Sequence, residues 1–85
     1  MASSFQVKVK KQMQAKGYTV LSVIKLSANG YPDLLCLKDG RSIWIECKEK
    51  NDTLKTLQKH RIDELISNGF DAYCLQAGKG KIYPK

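Results

Sequence analysis

The amino-acid sequence predicts a small α/β domain with elements in the order α-β-β-β-α-β and a mixed central sheet flanked by helices. Three observations lead to it. An Asp39-Gly40 pair stands between two apolar, β-prone runs, a strong hairpin signal because a type I′ turn needs φ > 0 at both central residues. Two amphipathic stretches each run into a glycine, Gly17 and Gly69, as helices do at their C-termini. A β-prone run follows the second of these, and a helix between successive strands suggests a right-handed crossover within one sheet.

Phe5, Val9 and Met13 recur at helical spacing over residues 3–16. Phe5, Val7 and Val9 also alternate as a strand would, but the run into Gly17 favours a helix with Lys8, Lys11 and Lys16 off its apolar stripe. Tyr18-Thr19-Val20-Leu21-Ser22-Val23-Ile24-Lys25-Leu26 is apolar and β-branched and predicts a strand. Ser27-Ala28-Asn29-Gly30 is a loop that delivers the chain to Pro32 and Asp33. With Asp39 and Gly40 as turn residues, Leu37 faces Ser42, Leu35 faces Trp44 and Asp33 faces Glu46. Asn51-Asp52-Thr53 offers helix N-caps. The helix that follows carries Leu54, Leu57, Ile62, Leu65 and Ile66 on one face and stops at Asn68-Gly69. Asp71 to Gln76 is a further strand, and Lys81 to Lys85 forms an optional edge strand after the Gly78-Lys79-Gly80 turn.

Eighty-five residues make one domain, expected over residues 1–85, and so small a core favours self-association. Hydrophobic content of 42% and charged content of 27% suit a folded soluble protein. A net charge of +7 favours a polyanionic partner, nucleic acid first. No apolar run has the length of a membrane span and no signal-peptide core is present, so a cytoplasmic location is expected, with no membrane partner. Cys36, Cys47 and Cys74 lie in apolar stretches without C-x-x-C spacing and read as reduced core thiols. Zinc is disfavoured because the single histidine, His60, has no cysteine nearby in sequence.

The Asp33–Glu46 pairing carries the functional content. Directly opposed side chains share a sheet face with Cβ atoms roughly 5 Å apart. Two carboxylates there repel, and a hard cation such as Mg²⁺ removes the repulsion. Lys48 lies on the same face one pleat on, while Ile45 and Cys47 point the other way. Two carboxylates and an ammonium therefore converge on one surface.

Gly30-Tyr31-Pro32-Asp33 leading one strand and Glu46-Cys47-Lys48 ending the next resemble the PD-(D/E)XK nuclease superfamily. Within it the chain is similar, over essentially its whole length, to a stand-alone VRR-NUC domain of the virus type, which would make it a phage protein acting in its host's cytoplasm. The resemblance implies that Asp33, Glu46 and the main-chain carbonyl of Cys47 bind Mg²⁺, with Mn²⁺ as a substitute. It implies that Lys48 orients or helps deprotonate the attacking water. It also brings Gln58 of the following helix to the site. Many relatives carry a first-helix glutamate that adds to the metal site. Residues 1–17 here contain no acidic residue, which leaves a one-metal mechanism intact and puts a two-metal one in doubt.

The function expected from residues and resemblance together is a Mg²⁺-dependent, structure-selective DNA endonuclease. It would act as a homodimer on branched DNA, in particular four-way (Holliday) junctions, where two symmetric nicks suit a two-fold pair of sites. The alternatives are a non-catalytic nucleic-acid-binding module on the same fold and a monomeric flap or single-strand nuclease. Lys25, Ser27, Asn29, Lys50, Lys55, Lys59 and Arg61 are candidate contacts to DNA. Trp44, Tyr18, Tyr31 and Tyr73 could stack on bases, although Trp44 in mid-hairpin reads as core, and His60 reads as a solvated helix residue.

Overall fold

Asp39 has φ 50° and Gly40 φ 79°, so the hairpin closes through the type I′ turn that the Asp-Gly pair dictates. Its strands are β2 (Leu34–Lys38) and β3 (Arg41–Lys48). They pair antiparallel with Leu37 opposite Ser42, Leu35 opposite Trp44 and Leu34 opposite Ile45. This is the expected register. The computed structural model describes residues 3–85 of the domain expected over 1–85; Met1 and Ala2 lie outside the described residues.

The remaining elements are α1 (Ser4–Ala15), β1 (Thr19–Ser22), α2 (Thr56–Ser67), β4 (Asp71–Gln76) and β5 (Gly80–Tyr83). The sheet order is β1-β2-β3-β4-β5. β3 and β4 run parallel, as the intervening helix requires, and the other neighbours run antiparallel. The optional last strand therefore forms.

Alternation along β3 divides the core into two layers. Ile43, Ile45 and Cys47 join Val9, Met13, Val20, Leu34 and Cys36 beneath α1. Trp44 packs on the opposite face with Ile62 and Leu65 of α2 and Ala72 and Cys74 of β4. Glu46 and Lys48 share the parity of Trp44 and so lie on the α2 face. All three cysteines are free and buried, as expected of core thiols. Burial pushes the Cys47 and Cys74 thiols up to about 12. Among the described residues no helix is long and apolar enough to cross a membrane.

Helix α1 starts at an N-cap the sequence did not announce: the Ser3 hydroxyl accepts from the Gln6 amide at 3.1 Å. Three other expectations need correction. The strand expected over Tyr18–Leu26 stops at Ser22. Val23 still donates to the Asp33 carbonyl, but the chain then leaves the sheet, and Ile24 is 92% exposed. The α2 N-cap is Lys55, not Asn51, Asp52 or Thr53. Gln58 makes the cap, its Oε1 accepting from the Lys55 amide at 2.9 Å. Leu57 and Ile66 are largely exposed, because Ile62 and Leu65 turn toward β4 and leave those two on the flank.

Leu57 nonetheless has a neighbour. Gly30 has φ +90°, and a Cβ added there would lie 2.7 Å from the Leu57 Cγ. Both the backbone region and the close approach call for glycine. Gly30→Ala is expected to cost about 1–3 kcal/mol through strain and displacement of Leu57. Chemical denaturation checks this, and an unchanged midpoint would mean that the loop does not depend on that contact.

Candidate functional site

The segment that presents Asp33 is fastened to α2 at several points. The Tyr31 hydroxyl donates to Glu64 Oε1 at 2.5 Å. The Arg61 guanidinium lies 4.7 Å from the Tyr31 ring centroid and donates from Nε to the Asn29 carbonyl at 2.8 Å. Pro32 is fully buried. This turn is thus held against a helix, which suits a side chain that must keep its aim.

The ladder of β2 and β3 ends at Leu34 and Ile45, and one further step in the same register sets Asp33 across from Glu46. At that step the Asp33 side chain replaces the backbone ladder, its Oδ2 accepting from the Cys47 amide at 3.0 Å. Within a strand the N–H and C=O of one residue point to the same side. The Cys47 carbonyl therefore points with its N–H toward Asp33, beyond the end of β2. The next carbonyl, that of Lys48, points the other way and accepts from Ala77.

Glu46 is 4% exposed and Lys48 5%. The Lys48 Nζ lies 3.7 Å from Glu46 Oε2 and 3.5 Å from Asp52 Oδ2. Gln58 Nε2 reaches Glu46 Oε2 at 3.5 Å. Burial raises the Glu46 carboxyl to about 8, the neighbouring Asp33 charge adds to the rise, and Lys48 opposes it. A buried carboxylate facing a second one favours a proton or a cation. Among the described residues no group of three or more His, Cys, Asp or Glu side chains could hold a metal. A cation here would therefore have two carboxylates and the Cys47 carbonyl as protein ligands, an all-oxygen set that fits a hard ion retaining water.

Asp33, Glu46, Lys48 and Gln58 are thus brought together. Two further participants were not singled out from sequence. Asp52, expected as a helix cap, is the second carboxylate beside Lys48, and its i,i+4 offset from that residue was the available signal. Gln76 is 5% exposed and donates from Nε2 to the carbonyls of Glu49, Lys50 and Asp52 at 3.0, 3.3 and 2.6 Å. Its signal was a polar side chain in phase with buried Ala72 and Cys74 on β4. One carboxamide so placed fastens the whole loop after β3.

The candidate DNA contacts border the same end of the sheet in sequence. Lys25, Ser27 and Asn29 are exposed on the β1–β2 connection, and Lys50, Lys55 and Lys59 are exposed on the β3–α2 connection and the first turn of α2. Arg61 differs, being half-buried and engaged with Asn29, Tyr31 and Glu64. Trp44 packs in the α2-side core, 6.2 Å from Tyr31, and Tyr18 and Tyr73 pack on the α1 side. His60 is exposed.

Comparison with known proteins bears on this geometry. The family model for the VRR-NUC domain matches residues 5–78. A solved structure described as a VRR-NUC domain is 24% identical, with a TM-score of 0.72 over 82% of this chain and 77% of that one. Hjc of Archaeoglobus fulgidus, described as a Holliday junction resolvase from an archaeal hyperthermophile, is 15% identical, with a TM-score of 0.68 over 88% of this chain and 67% of that one. At these identities the two structures speak for the fold, which is the PD-(D/E)XK one. No curated protein sequence matches.

Proposed function

The chain belongs to the VRR-NUC family of nuclease domains, and from that premise we propose that it is a Mg²⁺-dependent DNA endonuclease acting as a homodimer on four-way junctions. The observation that carries the metal-dependent chemistry is the meeting of half-buried Asp33 with buried Glu46 and Lys48, with Glu46 raised to about 8. Asp33, Glu46 and the Cys47 carbonyl would hold the ion, and Mn²⁺ would substitute. When bound, such an ion supplies positive charge to the phosphate oxygens and acidifies water. The Lys48 ammonium, kept in place by Glu46 and Asp52, orients the attacking water and stabilises charge developing on the phosphate. Gln58 steadies the Glu46 oxygen it touches. An intact set of this kind argues against a non-catalytic binding module.

Two observations support the finer reading. Leu21 and Leu37 stand exposed on the β1 and β2 side of the sheet, near exposed Ile24 and Leu26 in sequence, and this apolar surface suits a second copy of a chain with so small a core. A two-fold pair then offers two nicks to a junction of matching symmetry. The resolvase named among the structural neighbours points the same way.

Labelled duplex, flap and four-way junction, each incubated with Mg²⁺, Mn²⁺ or chelator, test the proposal alongside sedimentation of the same preparation. Paired nicks in the junction with either metal and none with chelator are expected. Cleavage in chelator would refute the metal role. A monomer that cuts duplex or flap at least as well as junction would refute the dimeric, junction-selective role. Binding in chelator should persist and fall steeply with salt, on the order of 10³-fold between 50 and 200 mM if six or more phosphates are contacted. A flat affinity would place the +7 charge away from the binding surface.

A further inference from the structure

Next to the site a cavity of about 440 Å³ opens between the loop after β3, the first turn of α2 and β5. Leu54, Ile82 and Tyr83 give it an apolar, aromatic wall, and Lys59, Lys79 and Lys85 give it cationic edges. Asp52 also lines it, and the same Asp52 carboxylate stands 3.5 Å from the Lys48 Nζ. Cavity and site therefore share a wall. Gln76 lies against both, fixing the Asp52 carbonyl at 2.6 Å. The Tyr83 ring is held by its hydroxyl, which donates to Asp63 Oδ1 at 2.6 Å. Lys59 Nζ lies 6.0 Å from that ring's centroid. Among the described residues, none of the three lysines is paired with a carboxylate.

We propose that this cavity takes one unpaired nucleotide of the DNA being cut, its base against Tyr83, Leu54 and Ile82 and a flanking phosphate among Lys59, Lys79 and Lys85. The inference rests on the nuclease function proposed above and names a subsite for its substrate. The volume falls within the range of small-ligand sites, about 300–1,000 Å³. The chemistry of the walls matches a nucleotide at both ends. An aromatic ring and aliphatic side chains accept the flat face of any base, and unpaired ammonium groups accept phosphate. A paired base shows neither face, because both are stacked in the duplex, and extracting it breaks its pairing and its stacking. A base at a branch point, a bulge or a single-stranded end costs less. Each protomer thus carries its own preference for interrupted duplex, before any pairing of protomers adds geometry.

The test uses the full chain in chelator, which withholds the metal, and reads binding alone, so its outcome is separate from that of the metal-dependent cleavage assay. Affinity is measured for a short single strand and for an abasic strand of equal length and charge. Wild type is expected to bind the abasic strand at least about 5-fold more weakly, the lower end of base–aromatic stacking, and Tyr83→Leu to lose that difference. Equal binding of the two strands by wild type, or a difference that survives in folded Tyr83→Leu, overturns the proposal. Methyl NMR with thymidine 5′-monophosphate keeps the test decisive if Tyr83→Leu does not fold. The Leu54 and Ile82 methyls should shift on titration of wild type. The shift should weaken in Lys79→Ala, an exposed change in the β4–β5 turn. No shift at these methyls, or one indifferent to Lys79→Ala, overturns it equally.

Discussion

Glu46→Gln and Lys48→Met are each expected to lower cleavage by at least about 10³-fold while leaving DNA affinity near that of wild type. Removing a group that acts on the developing charge, or one that holds the metal, costs turnover far more than ground-state binding. Both changes keep the volume of the buried side chain, so folding is spared the cavity that alanine would leave. Single-turnover cleavage at saturating protein, with affinity measured separately in chelator, checks the result. Near-wild-type cleavage by either variant at matched occupancy would remove Asp33, Glu46 and Lys48 from the chemistry.

Metal-free protein should lose stability as the pH rises from about 5 to 8, an unusual direction for a carboxyl group. The folded Glu46 carboxyl sits at about 8 against the usual 4.5. Between those values the folded chain keeps a proton that the unfolded chain has released, so unfolding becomes easier with rising pH and levels off above the folded value. The loss amounts to a few kcal/mol, at 1.36 kcal/mol per unit shifted. Mg²⁺ should restore stability on the alkaline side, since binding to the ionised carboxylate expels the proton. Glu46→Gln carries no such proton and should be flat across the window. Denaturant melts at stepped pH, with and without Mg²⁺, read all three; a flat wild-type profile, or a slope retained by Glu46→Gln, would sink the prediction.

The fold was most legible where local chemistry acts alone. Asp39-Gly40 forces its turn, alternation then sets the faces of Leu35, Trp44 and Glu46, and Gly17 and Gly69 end their helices. The candidate site was read from the same register, because faces are inherited along a strand. The sequence was misleading where a tertiary partner decides. Val23 to Leu26 are as β-prone as the residues before them, but the ladder with β2 runs out at Ser22. Asp52 looked like a cap because a short carboxylate before a helix usually is one; Lys48 and the Thr53 amide take it instead. Gln76 read as an ordinary strand residue, since the three carbonyls it binds belong to a loop more than twenty positions away.

Glu46 and Lys48, two of the groups proposed for chemistry, stand on β3, third of five strands and flanked by a neighbour on either side. Such a strand has little freedom to re-aim a side chain, whereas residues 23–28, ahead of the turn that presents Asp33, and the end of β5 are peripheral. Inheritance in a chain built this way is modular. Drift in the peripheral segments can exchange one class of substrate for another without disturbing the reaction, and no change in them can repair a lesion on the central strand. Divergent descendants of such a chain would thus keep a common reaction while differing in what they cut.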